Sequence, residues 1–166
     1  MRLNKFQKLY HAGAVKRYHT VRVHNPQDLA AHSWGVAMII SAISEEPPSA
    51  NLLMAALTHD LAESETGDIP APVKWNNTTI SNALDDLEFR FDKEHQIIFD
   101  LTDEELSLLT WADTFELVLY CGVELNMGNS FMRGTYNRGK IRLKQYGFPT
   151  TKASDLFFNL IEEGQE

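Results

Sequence analysis

Three apolar stretches carry side chains that do not suit an apolar core. His32 lies in Leu29-Ala30-Ala31-His32-Ser33-Trp34-Gly35-Val36. His59 and Asp60 close the run Leu52-Leu53-Met54-Ala55-Ala56-Leu57-Thr58. Asp113 sits in Leu108-Leu109-Thr110-Trp111-Ala112-Asp113-Thr114-Phe115. Burying a carboxylate costs several kcal/mol unless a cation or donors compensate. Each misfit alone has an ordinary explanation: a core histidine bonded to a carbonyl, an exposed helix end, an Arg partner for Asp113. Together they offer two imidazoles and two carboxylates on separate helices, which can converge in a bundle core. Mixed N and O ligands suit one divalent transition metal such as Zn, Co or Mn. Four protein ligands leave room for a water and a substrate oxygen, the mark of a catalytic rather than a structural site.

The neighbours extend that chemistry. Glu63 follows Asp60 by three residues and His59 by four, so on a continuing helix all three share a face. There Glu63 reaches the attacking water without ligating the metal, which brings the pKa of such a water from about 16 toward about 7. Asp68 follows Gly67 in a turn; it suits an Asx-turn, and equally a carboxylate that protonates a leaving oxygen. Arg17 is flanked by Lys16 and Arg22, and its planar guanidinium matches phosphate geometry. Lys74 follows Pro70, Pro72 and Val73, whose stiff backbone would fix it as a phosphate contact. Tyr18 could stack on a base or press where a 2'-hydroxyl would sit, with His19 beside it. Pro72 and Trp75 could line the base pocket. Trp34 and Trp111 read as core. Arg133, Arg138, Lys140, Arg142 and Lys144 suit either a longer phosphate chain or a solvated basic helix.

The elements that must position these groups are helices. Asp28 to Ser44 reads as one, and Ser49 to Ser64 as a second with Ser49 as N-cap. Gly67 to Pro72 is a loop. Ile80 to Phe99 is a charged amphipathic helix. Thr102 to Met127 opens on a capping box, Thr102 with Glu105, and Gly128-Asn129 stops it. Ser130 to Tyr146 is helical but interrupted by Gly134 and Gly139, and Ser154 to Glu163 is a short last helix. No strand-like alternation occurs. The expectation is an all-α helical bundle in a single domain covering residues 1–166.

Composition agrees. The chain has 166 residues, 43% of them hydrophobic and 23% charged, as an ordinary globular domain has. The single cysteine, Cys121, cannot form an intramolecular disulfide and suits packing; a cytoplasmic protein is expected. The first residues are too polar for a signal peptide. The longest apolar run, Leu52 to Leu57, is too short to span a membrane. A net charge of -8 argues against a nucleic-acid polymer as partner. It leaves a small anionic substrate open, because a local pocket of Lys, Arg and metal overrides the global sign.

The order His32, His59-Asp60, Asp113 resembles that of the HD-domain phosphohydrolases. Ala31-His32-Ser33, Thr58-His59-Asp60-Leu61-Ala62-Glu63 and Thr66-Gly67-Asp68-Ile69-Pro70-Ala71-Pro72-Val73-Lys74 are similar to the 5'-deoxynucleotidase branch. Lys16-Arg17-Tyr18-His19-Thr20 adds a further match. The branch includes deoxynucleoside monophosphatases and short phage enzymes that hydrolyse dATP to deoxyadenosine and triphosphate. The compact length and Arg17-Tyr18-His19-Thr20 look closer to the phage forms. The resemblance implies His32, His59, Asp60 and Asp113 as metal ligands, and Glu63 and Asp68 as catalytic carboxylates. It implies Arg17 as a phosphate contact and Tyr18, usually Trp, against the nucleoside. It further implies a small deoxynucleotide as substrate and a homo-oligomer, dimeric or larger. A dATP triphosphohydrolase is the leading expectation. A nucleotidase releasing phosphate from deoxynucleoside monophosphates, and a metal-stabilised nucleotide-binding module without turnover, are the alternatives.

Overall fold

The computed structural model describes residues 5–162, without the side chains of Lys5, Ala71, Pro72 and Trp75. The expectations for Pro72 and Trp75 therefore lie outside the described residues. The elements are α1 (Lys5–Ala12), α2 (Leu29–Ile43), α3 (Ala50–Thr58), α4 (Glu63–Thr66), α5 (Ala71–Asn76), α6 (Thr78–His95), α7 (Asp103–Asn126), α8 (Arg133–Tyr146) and α9 (Thr151–Phe157). A 3-10 turn (Ser130–Met132) leads into α8, and a π turn (Phe158–Glu162) follows α9. Among the described residues there is no strand, only an isolated bridge between Lys16 and Asp28.

Local chemistry sets the helix ends. Ser49 Oγ accepts the Leu52 N–H at 3.1 Å and starts α3. Asn77 does the same for Ile80 at the head of α6, and Thr150 for Ala153 at the head of α9. The Thr102–Glu105 capping box forms, with bonds of 3.2 and 3.0 Å. Gly128, at φ 91°, carries the chain out of α7 in a conformation that favours glycine.

One expected helix does not run through. Ser49 to Ser64 breaks after Thr58, and residues 59–62 form tight turns before α4. There the Leu61 N–H bonds Thr58 O and the Glu63 N–H bonds Asp60 O, each three residues back. Apolar spacing alone cannot distinguish this tightening from an α-helix, since the two differ by one residue in bonding. His59, Asp60 and Glu63 are thus presented by turns rather than by one helical face.

The chain divides into two compact units. The first comprises the residues up to Ser33 together with Thr58–Ile98. In it α1 packs on α4 and α5 on α6, over buried Ala12, Leu29, Ala62 and Phe91. The Phe91 ring lies 4.3 Å from that of His95, also buried.

The second unit comprises Trp34–Leu57 and the chain from Phe99 onward. Its core is Trp111, Phe115, Val118 and Cys121 of α7 with Tyr136, Leu143 and Phe157. Trp111 stacks on Phe115 at 4.6 Å. By length and composition α7 could cross a membrane; its buried side chains, which include Glu116 and Glu124, instead mark a core helix. Trp34, expected in the core, is 64% exposed. It occupies the outer face of α2, whereas Val36, Ile39, Ile40 and Ile43 fill the inner one.

Gly139 does not interrupt α8; it lets α8 approach α7. A Cβ there would stand 2.6 Å from Val118 Cγ2 and 3.1 Å from Leu117 Cδ2. Val118 is fully buried and stiff at χ1, so it cannot step aside cheaply. Gly139→Ala is expected to destabilise the fold by about 1–3 kcal/mol, outweighing the roughly 1 kcal/mol of added helix propensity. Thermal unfolding measures it; an unchanged or raised Tm would contradict the close approach.

Candidate active site

The segment before α2 folds back on itself. The Leu29 N–H bonds Val15 O, the Ala30 N–H bonds Gly13 O, and the Arg17 N–H bonds Gln27 O. A Lys16–Asp28 ion pair at 3.4 Å accompanies them. Arg17 and Tyr18 are thereby fixed beside the 58–68 segment. Tyr18 has φ 56°, a left-handed conformation that costs a side chain about 1–2 kcal/mol. Its N–H donates to Asp68 Oδ2 at 3.1 Å, which anchors the strained residue.

Four of the expected residues meet at one oxygen. Asp60 Oδ2 accepts from Arg17 Nη1 at 3.0 Å. The same oxygen lies 3.3 Å from His59 Nε2 and 3.6 Å from His32 Nε2. The His32 and His59 rings are 5.4 Å apart. His32 is fully buried and the Arg17 side chain is only 10% exposed. Two imidazole nitrogens converging on one carboxylate oxygen form the N and O donor set that a divalent transition metal takes, so the residues present fit such an ion.

Glu63 lies next to this cluster and is buried. Burial, then the negative charges of Asp60 and Asp68, push its carboxyl from 4.5 up to about 8, against Arg17 and Lys74. Its Oε2 is buried and has no hydrogen-bond partner among the described residues. A carboxyl held near neutrality is what proton transfer at neutral pH requires. Lys74 Nζ stands 3.7 Å from Glu63 Oε1. Burial works against its charge, but Asp60, Glu63, Glu88 and Asp68 outweigh it and raise its pKa.

Asp113 is half-buried on α7, in the second unit. His19 is exposed. Lys140 and Lys144 both pair with Glu162, at 3.0 and 3.2 Å, and Arg142 donates to the Tyr146 hydroxyl. These basic residues are thus engaged within their own unit. One residue at the cluster escaped sequence reasoning. Glu88 of α6 lies 3.9 Å from Lys74 Nζ, and nothing in the sequence separates it from its acidic neighbours Asp85 and Asp86.

Known proteins bear on this geometry. The chain matches the 5'-deoxynucleotidase YfbR-like family over residues 5–163. The 5'-deoxynucleotidase yfbR of Photorhabdus temperata is 26% identical, over 84% of this chain and 81% of the relative. The 5'-deoxynucleotidase YfbR of Escherichia coli O1:K1 is 30% identical, over 75% and 74%. Among solved structures, the cyanophage S-2L HD phosphohydrolase DatZ, bound to dA and one catalytic Zn2+ ion, superposes with a TM-score of 0.71 at 22% identity. That likeness covers 98% of this chain and 99% of DatZ. An HD-domain phosphohydrolase of Listeria innocua gives 0.72 at 21% identity, over 96% and 86%.

An all-helical fold carrying a His and Asp cluster of this kind defines an HD-domain phosphohydrolase. Within that class the chain belongs to the YfbR-like 5'-deoxynucleotidase family. It is a metal-dependent phosphohydrolase of deoxynucleotides.

Proposed function

We propose that the enzyme hydrolyses the 5'-phosphoester of a deoxynucleoside monophosphate, freeing the deoxynucleoside and orthophosphate. What supports hydrolysis is the convergence of His32, His59 and Arg17 on Asp60 Oδ2 with Glu63 buried beside them, and what supports the monophosphate is the match to the 5'-deoxynucleotidase YfbR-like family. One ion of Zn, Co or Mn would be held by His32, His59 and Asp60, with Asp113 as fourth ligand on the strength of the sequence resemblance. When bound, such a metal acidifies water and takes up negative charge at phosphorus.

The chain's own groups do the rest. Arg17 and Lys74 bind the phosphate oxygens and take up charge as the bond from phosphorus to O5' breaks. Glu63 takes a proton from the attacking water at its free Oε2. Asp68 anchors Tyr18 and relays to the departing O5' the proton that Glu63 has taken from the water, so the two carboxylates end as they began. Tyr18 packs on the sugar where a 2'-hydroxyl would sit, with His19 flanking the nucleoside. The working form is taken as a homo-oligomer, as the resemblance implies, and as cytoplasmic, in keeping with the single cysteine; a monomer in light scattering would remove the first part.

A dATP triphosphohydrolase breaks the same bond, with triphosphate in place of phosphate. Two features favour this second reading: Arg17-Tyr18-His19-Thr20, and the likeness to a dA-bound phage enzyme along nearly the full length of both chains. The charge at the site favours the monophosphate. Among the described residues the cations paired with the cluster's carboxylates are Arg17 and Lys74, while Lys140 and Lys144 are committed to Glu162. A panel of dAMP, dATP and AMP with each metal tests both. The expected order is dAMP, then dATP, with AMP far below; AMP turnover equal to dAMP would sink the deoxy-selective reading.

Asp68 gives a finer test. Asp68→Asn keeps an oxygen for the Tyr18 N–H and removes the ionisable group. It is expected to lower kcat about 10²-fold with KM little changed. Asp68→Ala also frees Tyr18 and should raise KM about tenfold. Identical kinetics for the two variants would remove the anchoring role.

A further inference from the structure

Lys74 is shared between two carboxylates of different standing. Glu63 Oε1 is 3.7 Å away on a side chain 6% exposed, and Glu88 Oε1 is 3.9 Å away on one 36% exposed. Lys74 is on α5 and Glu88 on α6, fourteen residues on. The two helices pack together across the turn at Asn77, whose side chain caps α6. With Glu63 alone, Lys74 would settle on the carboxyl that the reaction needs free.

We propose that Glu88 is a positioning residue: by sharing the Lys74 ammonium with Glu63, at 3.9 and 3.7 Å, it keeps the ammonium from closing fully onto Glu63 and holds it for the substrate phosphate. The proposal rests on the phosphohydrolase reading above. The groups acting on Glu88 are consistent with it: burial raises its pKa, Lys74 lowers it, and Asp60, Asp85 and Asp92 raise it. Lys74 is thus the attractive partner among otherwise repulsive neighbours.

The sign of the effect separates this role from simple charge repulsion. Removing an acid near an anion site should tighten anion binding if repulsion were its only effect. Removing the tether should weaken it. Glu88→Gln is therefore expected to raise KM for dAMP three- to tenfold, and the inhibition constant of orthophosphate alike, with kcat within about twofold. Glu88→Asp should recover part of the loss. Glu94→Gln, an exposed acid on the same helix, serves as control and should leave KM unchanged. Circular dichroism and Tm establish that each variant folds.

An unchanged or lowered KM and inhibition constant in Glu88→Gln, with the wild type binding phosphate normally, overturns the positioning role and leaves the function intact. A wild type that neither binds orthophosphate nor hydrolyses any deoxynucleotide overturns both together.

Discussion

His59→Ala and Asp113→Ala are each expected to reduce turnover to the uncatalysed background and to lose the bound metal. His59 Nε2 lies 3.3 Å from Asp60 Oδ2, so its loss removes an imidazole donor from the centre of the cluster. Elemental analysis of chelator-free protein should find about one ion per wild-type chain and far less in either variant. Added metal should raise the wild-type Tm, because an ion that binds only the folded state stabilises it by mass action, and should leave the variants unmoved. A metal-loaded, active Asp113→Ala would strike Asp113 from the ligand set while leaving His32, His59 and Asp60.

Glu63→Gln should be almost as damaging, for a different reason. The amide has nearly the same shape but cannot exchange a proton at neutral pH, so kcat should fall about 10²- to 10⁴-fold with little change in metal content. The same substitution changes how stability depends on pH. In the metal-free protein the Glu63 carboxyl titrates near 8, against 4.5 for an unperturbed one. The folded state therefore binds this proton more tightly than the unfolded state does. The resulting stability is fully present below about pH 4.5 and is lost as pH rises through about 8. Metal-free wild type should thus lose Tm between pH 5 and pH 8, and Glu63→Gln should flatten that slope. A divalent cation placed in the cluster favours the carboxylate, so metal binding near pH 7 should release protons, seen in calorimetry as a buffer-dependent heat.

The helices were legible because their signals are local. Ser49, Thr102 with Glu105, and Gly128 act on bonds within three or four residues, and all three behave as their residue types require. The cluster of His32, His59 and Asp60 was legible because polar groups stand out against apolar helices. The break after Thr58 was not, since a tightened turn preserves apolar spacing. Trp34 was misplaced because size and apolarity do not say which face of α2 turns inward. Gly139 read as a helix breaker, when its value lies in what α7 presents to it. Glu88 was invisible for the same reason: its partner Lys74 lies on another helix, and only the packing of α5 on α6 brings them together.

The central claim is that this cluster drives water onto the phosphorus attached to O5'. The most direct measurement is turnover of dAMP and dATP by the metal-loaded enzyme in ¹⁸O-water, with both products weighed by mass spectrometry. The expected result is unlabelled deoxyadenosine together with phosphate, or triphosphate, carrying one ¹⁸O. Label in the deoxyadenosine, or orthophosphate split from the far end of dATP with the nucleoside still phosphorylated, would contradict it.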